Sequence, residues 1–280
     1  MILVDMNQIS VASVMMHLHM SKRTIPDNNM VRHMILNSLR MYRTRFSSEF
    51  GELVLCYDSK HYWRRDYFPQ YKANRKRDRE KSNQDWDAIF ECLNTIKEEI
   101  KTNMPYKFLE IYGAEADDII ATICTEYDEE IMILSGDKDF IQLQRFPNVK
   151  QYSPITKKMV NGINPSGYLQ EHILKGDMSD GIPNVLSPDH TFTDGLRQHP
   201  LTKKKIASIL DTVPFDSLPE ETKRNYQRNK KLIDLTFTPP ELSDEILKTY
   251  RSSPYGDRSK LLNYFIQKRL RNLTESIGEF

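Results

Sequence analysis

Acidic residues stand directly after each of four short strand-like runs in this 280-residue chain. Residues 2–6 read as a buried strand whose end carries Asp5, and residues 53–57 as a second that runs into Asp58. Residues 106–111 are followed by Glu115, Asp117 and Asp118, and residues 131–134 by Asp137 and Asp139. Between the strands the apolar spacing turns helical: Met30, Met34, Ile35, Leu39 and Tyr42 in residues 29–46, then Ile89, Phe90, Leu93, Ile96 and Ile100 in residues 86–100. Residues 114–127 form a further helix and residues 149–152 a fifth strand. Alternating strands and helices predict an α/β fold, a mostly parallel central sheet with helices on both faces. Such sheets bind ligands outside the carboxyl ends of their strands, where these acids lie.

Past residue 163 the strand signal fades. Residues 166–174, 203–210, 219–233, 241–250 and 259–270 read as helices, separated by Gly and Pro. The expected organisation is an α/β domain over residues 1–182 and a smaller helical C-terminal domain over residues 183–280. Asp177 and Asp180 follow the helix that ends near Lys175, which brings the acids to nine.

One Asp at a strand end is more often a helix cap or turn former than a ligand. Nine carboxylates at one sheet edge are harder to explain that way, because like charges in a partly dry cleft repel and raise one another's pKa unless a cation neutralises them. Oxygen-only donors select Mg²⁺, with Mn²⁺ as a substitute. Two such ions about 3.5–4 Å apart activate a water and stabilise the leaving oxygen in phosphodiester cleavage. The seven histidines are scattered and form no zinc pattern.

The formal net charge is only +1, yet eight Lys or Arg and three acids fall between Arg64 and Lys81. Tyr62, Trp63, Tyr67, Phe68 and Tyr71 precede Lys72, Arg75, Lys76, Arg77 and Arg79. Cations track phosphates and aromatic rings stack on bases. On a helix, Lys72, Arg75, Lys76 and Arg79 would share one face. A solvated basic helix is the plain alternative. Lys203, Lys204 and Lys205 are candidate non-specific phosphate contacts.

Five blocks, in order, resemble the 5′-nuclease or flap endonuclease superfamily: Leu3-Val4-Asp5, Leu55-Cys56-Tyr57-Asp58, Glu115-Ala116-Asp117-Asp118, Ser135-Gly136-Asp137-Lys138-Asp139-Phe140 and Gly176-Asp177-Met178-Ser179-Asp180. Trp63-Arg64-Arg65-Asp66 and Ser276-Ile277-Gly278-Glu279-Phe280 are similar to its ribonuclease H branch in T-even bacteriophages. The resemblance spans nearly the whole chain. It implies a PIN-like nuclease core, a 5′→3′ exonuclease that also cuts flap junctions, and RNA–DNA hybrid and nicked or flapped duplex DNA as substrates. It further implies removal of RNA primers in lagging-strand replication and a replication single-strand-binding protein as partner. One metal ion would lie nearer Asp5, Asp58, Glu115, Asp117 and Asp137, the second nearer Asp139, Asp177 and Asp180, with Asp118 a further candidate ligand.

By the same resemblance, residues 62–82 form a helical arch over the site, mobile without DNA. Lys72 would meet the scissile phosphate, Arg75 or Arg79 would assist, Tyr71 would stack on a base, and Arg64, Arg65, Lys76 and Arg77 would contact nucleic acid. Asp180-Gly181-Ile182-Pro183-Asn184-Val185 resembles the entry to a helix–turn–helix motif that grips duplex backbone. Its usual second glycine-rich turn is replaced by residues 187–195.

Two further readings come from other classes. A non-catalytic nucleic-acid-binding protein on this fold would have broken acidic positions, and none is broken. A single-strand PIN-like ribonuclease would lack the long basic segment and the helical C-terminus. A phosphatase would carry a second Asp two residues after Asp5, where Asn7 stands. Three widely spaced cysteines, no apolar run of about 18 residues and no signal-peptide pattern predict reduced thiols, no membrane span and a cytoplasmic monomer, in the host cytoplasm for a phage protein.

Overall fold

Burial on both faces explains why the apolar runs join one sheet: every residue of β1 (Ile2–Asp5), β2 (Leu53–Tyr57) and β4 (Ile131–Leu134) is buried. The computed structural model describes residues 1–211 and 214–280. Six strands run in the order β3-β2-β1-β4-β5-β6, with β3 spanning Lys107–Glu110, β5 Val149–Ser153 and β6 Lys158–Met159. All neighbours pair parallel except β5 and β6, which form an antiparallel edge hairpin. β1 lies between β2 and β4, so the chain leaves it on both sides and the order reverses there. That reversal opens the crevice at the strand ends where doubly wound sheets bind ligands.

Strand side chains alternate between the two faces. Ile2, Val4, Leu53, Leu55, Met132 and Leu134 pack against helices α1 (Met6–Ser21), α2 (Asn28–Phe50) and α5 (Trp86–Asn103). Leu3, Val54, Cys56, Ile131 and Ile133 face the other way, onto α6 (Ala116–Glu126). Two short helices between β2 and α5, α3 (Trp63–Tyr67) and α4 (Asn74–Glu80), carry the basic segment.

The C-terminal helices finish both faces. After α7 (Pro165–Lys175), α8 (Lys203–Asp211) and α9 (Glu220–Ile233), α10 (Pro240–Ser252) places Ile246 in the core that contains α6. On the opposite face, α11 (Lys260–Gln267), α12 (Arg271–Glu275) and the fully buried Phe280 extend the α2–α5 core. Full burial of such a side chain contributes about 1.5–3 kcal/mol. The mostly parallel sheet and helical C-terminus match the sequence expectation.

Three differences have physical causes. Helix α1 is not evident in the sequence because its buried stripe includes Ser10, Ser13 and His17 beside Ile9, Val14 and Leu18, which blurs the apolar period. The helix expected over 259–270 ends at Gln267, and a separate helix starts at Arg271, after Arg269 takes a left-handed φ of 57°. Lys72 also lies outside α4, in a left-handed turn at φ 56°, so it does not share a helix face with Arg75, Lys76 and Arg79.

Candidate active site

The strand-end acids act first as local structure. Asp5 caps α1, its Oδ1 accepting from the Gln8 amide at 3.0 Å and its Oδ2 from the Ser135 hydroxyl at 2.9 Å. Asp58 Oδ1 accepts from the Ala116 amide at the start of α6, at 2.7 Å. Asp137 caps a 3-10 turn over residues 138–145, with Oδ1 3.0 Å from the Asp139 amide. Asp177 Oδ1 takes three donors: the Ser179 and Asp180 amides and the Ser179 hydroxyl. Gly176 turns the chain into that loop at φ 68°, where a Cβ would lie 2.3 Å from the Ile182 carbonyl oxygen. The capping and ligand roles are therefore compatible. In Asp58, Asp137 and Asp177 the cap uses one oxygen, Oδ1; in Asp5 the Ser135 hydroxyl also holds Oδ2.

Crowding of these acids is visible in their electrostatics. Burial, with Asp58 and Asp137 nearby, pushes Asp5 up to about 7 against the help of Gln8 and Ser135. Burial and then the Asp137 carboxylate raise Asp117 well above the ordinary carboxylate range, and the same two causes raise Asp139. Burial also raises Asp58, with Lys72 opposing. Asp137 is thus common to two groups, one around Asp5, Asp58 and Asp117, the other around Asp139 and Asp177. Acids held this reluctantly in their charged form suit a divalent cation, and oxygen donors around an open cleft fit Mg²⁺ or Mn²⁺.

A stability prediction follows. An unfolded Asp ionises near 3.8, well below folded Asp5. From about pH 4 through about pH 7, ionisation increasingly favours the unfolded chain, because the folded pKa is the higher one. Protein in EDTA should therefore melt at a lower temperature at pH 8 than at pH 5, and millimolar Mg²⁺ or Mn²⁺ should close the gap. A melting temperature that rises from pH 5 to pH 8 in EDTA would contradict it.

Cations hold a third group. Glu115 accepts from Lys72 Nζ at 2.5 Å and, through its other oxygen, from Arg64 Nη1 and the Tyr71 hydroxyl, each at 3.0 Å. Asp180 accepts from Arg75 Nη2 at 2.7 Å and lies 2.9 Å from the Tyr71 hydroxyl, whose single proton it shares with Glu115, with Lys72 Nζ 3.6 Å away. Burial opposes the Lys72 charge, but Asp180 and Glu115 outweigh it and hold the ammonium well above its ordinary pKa. A left-handed non-glycine residue costs roughly 1–3 kcal/mol, and these ion pairs keep it in place. The segment is pinned down here: the Lys72 amide donates to the Asp180 carbonyl at 2.8 Å, and Phe68 and Tyr71 pack with Leu169, Ile173, Leu232 and Ile233.

Several sequence expectations change. Asp118 is not placed as a ligand: it is fully buried and both oxygens are engaged, by Arg64, the Glu115 amide, Trp63 Nε1 and Thr238 Oγ1. Arg64, expected on the nucleic-acid face, is 2% exposed and closes that network, its Nε donating to the Leu232 carbonyl. Tyr71 is buried with its hydroxyl between Glu115 and Asp180, so it presents no face for a base. Spacing left Arg75 and Arg79 open; the structure puts Arg75 on Asp180 and turns Arg79 away, over the rings of Trp86 and Phe90.

The other cations stay outside. Arg65 lies over Tyr62, and Lys76 lines a cleft of about 850 Å³ with Arg65, Arg79, Trp86 and Phe90. Arg77 donates to the Phe192 carbonyl, and Lys203, Lys204 and Lys205 are exposed on α8. The turns between α7 and α8 are braced from α9. Asn225 Nδ2 donates to the Val185 and Ser187 carbonyls, and Arg228 and Asn229 both donate to that of Pro183. His172 lies beside Asp139 and Asp177 but carries no signal in the sequence, where a lone histidine on a helix is usually structural.

Residues 1–172 match the 5′-3′ exonuclease N-terminal resolvase-like domain, and residues 168–280 match the C-terminal domain of T4 RNase H. The chain belongs to the 5′-3′ exonuclease family. Ribonuclease H of Enterobacteria phage T4 is 35% identical over 296 residues, covering 99% of this chain and 95% of that protein. The 5′-3′ exonuclease of Buchnera aphidicola (subspecies Schizaphis graminum) is 33% identical over 48% of each chain. The bacteriophage T5 flap endonuclease, solved as a pseudo-enzyme-product complex with DNA and metal ions, shares the fold with a TM-score of 0.62 at 17% identity, over 90% of this chain and 99% of that one. Family membership and crevice agree: apart from Asp118, the acids of the five blocks gather at the sheet edge where the strand order reverses.

Proposed function

We propose that this protein is a divalent-metal-dependent 5′→3′ exonuclease and flap endonuclease with ribonuclease H activity, acting on RNA–DNA hybrid and on nicked or flapped duplex DNA. The observation that carries this reading is the meeting of Asp5, Asp58, Asp117, Asp137, Asp139 and Asp177 at the reversal point, with Lys72 and Arg75 held against Glu115 and Asp180 beside them. The bound cations, Mg²⁺ in the first instance, would supply charge neutralisation and an activated water at the phosphodiester.

The chain's own groups do the rest. Asp5 and Asp58 are held in place by the Gln8 and Ala116 amides, with Ser135 on the second oxygen of Asp5, so bringing them to a metal ion carries no large ordering cost. Lys72 and Arg75 already carry full charge beside the acids. A phosphate arriving there exchanges their carboxylate partners for its own oxygens, and the two cations stabilise charge that grows on it during cleavage. Exposed Arg65 and Lys76, and Lys203 to Lys205 on α8, hold the backbone of the nucleic acid without reading its sequence. Removal of RNA primers during lagging-strand synthesis, as a monomer and alongside a replication single-strand-binding protein, is the role this reading implies.

The test uses a 5′-labelled RNA–DNA hybrid and a 5′-flap DNA, each with Mg²⁺ or with EDTA. Release of short 5′ products from the hybrid and cleavage at the flap junction are expected with Mg²⁺ alone. Undiminished cleavage in EDTA would sink the metal mechanism, and inertness toward both substrates with Mg²⁺ would sink the nuclease reading.

A further inference from the structure

His172 sits in the carboxylate cleft, and neither the acid pattern nor the basic segment accounts for it. It occupies the last turn of α7 with its ring between two acids. Nδ1 is 3.4 Å from Asp139 Oδ1, and Nε2 is 3.4 Å from Asp177 Oδ2. The two nitrogens differ in what they can do. Nδ1 is buried and has no hydrogen-bond partner. Nε2 faces the one oxygen of Asp177 that the Ser179–Asp180 loop does not hold, since Oδ1 already takes three donors. One donor atom from each of Asp139, His172 and Asp177 lies within 4.8 Å of the others. A cleft of about 430 Å³ adjoins them, lined also by Gln8, Asp137 and Tyr168, with room for an ion and its waters.

We infer that His172 Nδ1 is a nitrogen ligand, with Asp139, of a divalent ion in this cleft, and that Asp177 orients the ring by accepting from Nε2–H. The geometry fits. Adjacent donors about 2.1 Å from one octahedral ion are about 3.0 Å apart, so Nδ1 and Oδ1, 3.4 Å apart, need to close by only a few tenths of an ångström to share an ion. A histidine that binds metal through one nitrogen usually donates the other to a carboxylate, which sets the tautomer. Nitrogen also changes the choice of ion. Mg²⁺ prefers oxygen donors and keeps its water, whereas imidazole favours Mn²⁺ and later first-row ions increasingly. This half of the site is thereby selective for Mn²⁺ or Co²⁺ over Mg²⁺, while the oxygen-only group around Asp5, Asp58 and Asp117 is not.

The inference rests on the metal-dependent reading above, and the experiment separates the two. Mn²⁺ is titrated into full-length protein freed of metal, and pulsed electron paramagnetic resonance reads directly bound nitrogen. Wild type should show it. His172→Gln should lose the nitrogen signal and bind Mn²⁺ about 10- to 100-fold more weakly, while Mg²⁺ affinity, read by displacement, changes by less than about 3-fold, the expectation for an oxygen-preferring ion. A circular dichroism spectrum matching wild type establishes that the variant is folded. Mn²⁺ bound in wild type without a nitrogen signal, or a signal that persists in His172→Gln, overturns the role of His172 and leaves the nuclease reading standing. Failure of wild type to bind Mn²⁺ at all overturns both.

Discussion

Asp137→Asn is expected to abolish hydrolysis and at the same time to raise the melting temperature of the metal-free protein. The two effects have one cause. Asp137 acts on Asp5, Asp117 and Asp139 together, so its charge bears on both groups of acids. An amide removes that repulsion while keeping the shape, and its oxygen can still accept from the Asp139 amide. Relief of about 1 kcal/mol corresponds to roughly 2–4 °C in a chain of this size. Loss of a shared carboxylate should cost about 4 kcal/mol of metal-borne stabilisation, close to 10³-fold in rate. Hybrid binding should change little, because Lys72, Arg75 and the outer cations remain. Cleavage in Mg²⁺, melting in EDTA and hybrid binding read the three separately. A variant that keeps more than about a tenth of wild-type turnover, where roughly 10³-fold loss is expected, would remove Asp137 from the chemistry.

Arg64→Met is expected to give the largest loss of stability of any single change near the site. Its guanidinium is 2% exposed and bridges Glu115 and Asp118, themselves 1% and 0% exposed. Burial alone would lower the guanidinium pKa, but Asp118, Tyr71 and Glu115 lift it well above its ordinary value. Methionine fills similar volume, so packing changes little and the electrostatic loss dominates. Buried Asp118 then lacks the cation it pairs with and Glu115 keeps only Lys72, a situation that costs about 3–5 kcal/mol. That is about 10 °C in melting temperature. Urea unfolding at pH 7 reads it directly. A loss under about 1 kcal/mol, the range of an exposed ion pair, would mean that Lys72, Trp63 and Thr238 suffice for the two acids. Adding Asp118→Asn to the variant should recover part of the loss, since the stranded charge is gone.

The strands were legible because each is a short apolar run with a polar stop. The bounds 53–57 and 131–134 agree with the structure residue for residue. The acids were legible for the same reason, since a strand end in a parallel sheet marks one edge of the molecule. The basic segment was legible as a concentration of charge but not as a set of roles. Arg64 and Arg65 are adjacent and look alike in sequence, yet one is buried under Glu115 and Asp118 and the other is exposed over Tyr62. Asp117 and Asp118 divide in the same way: helix α6 turns one toward the crevice and the other into the protein.

The order of apolar runs and acids thus determines, by itself, a parallel α/β sheet with carboxylates at one edge, because alternation, burial and strand direction are local properties of the chain. Tertiary structure alone decides which charges meet. Arg64 with Asp118, Lys72 with Glu115, Arg75 with Asp180 and His172 with Asp139 are separated by between 33 and 105 residues. Which of them pair depends on how α6, α7 and the turn at Lys72 pack, and Coulomb energy in a dry crevice is governed by those ångström distances and not by position along the chain.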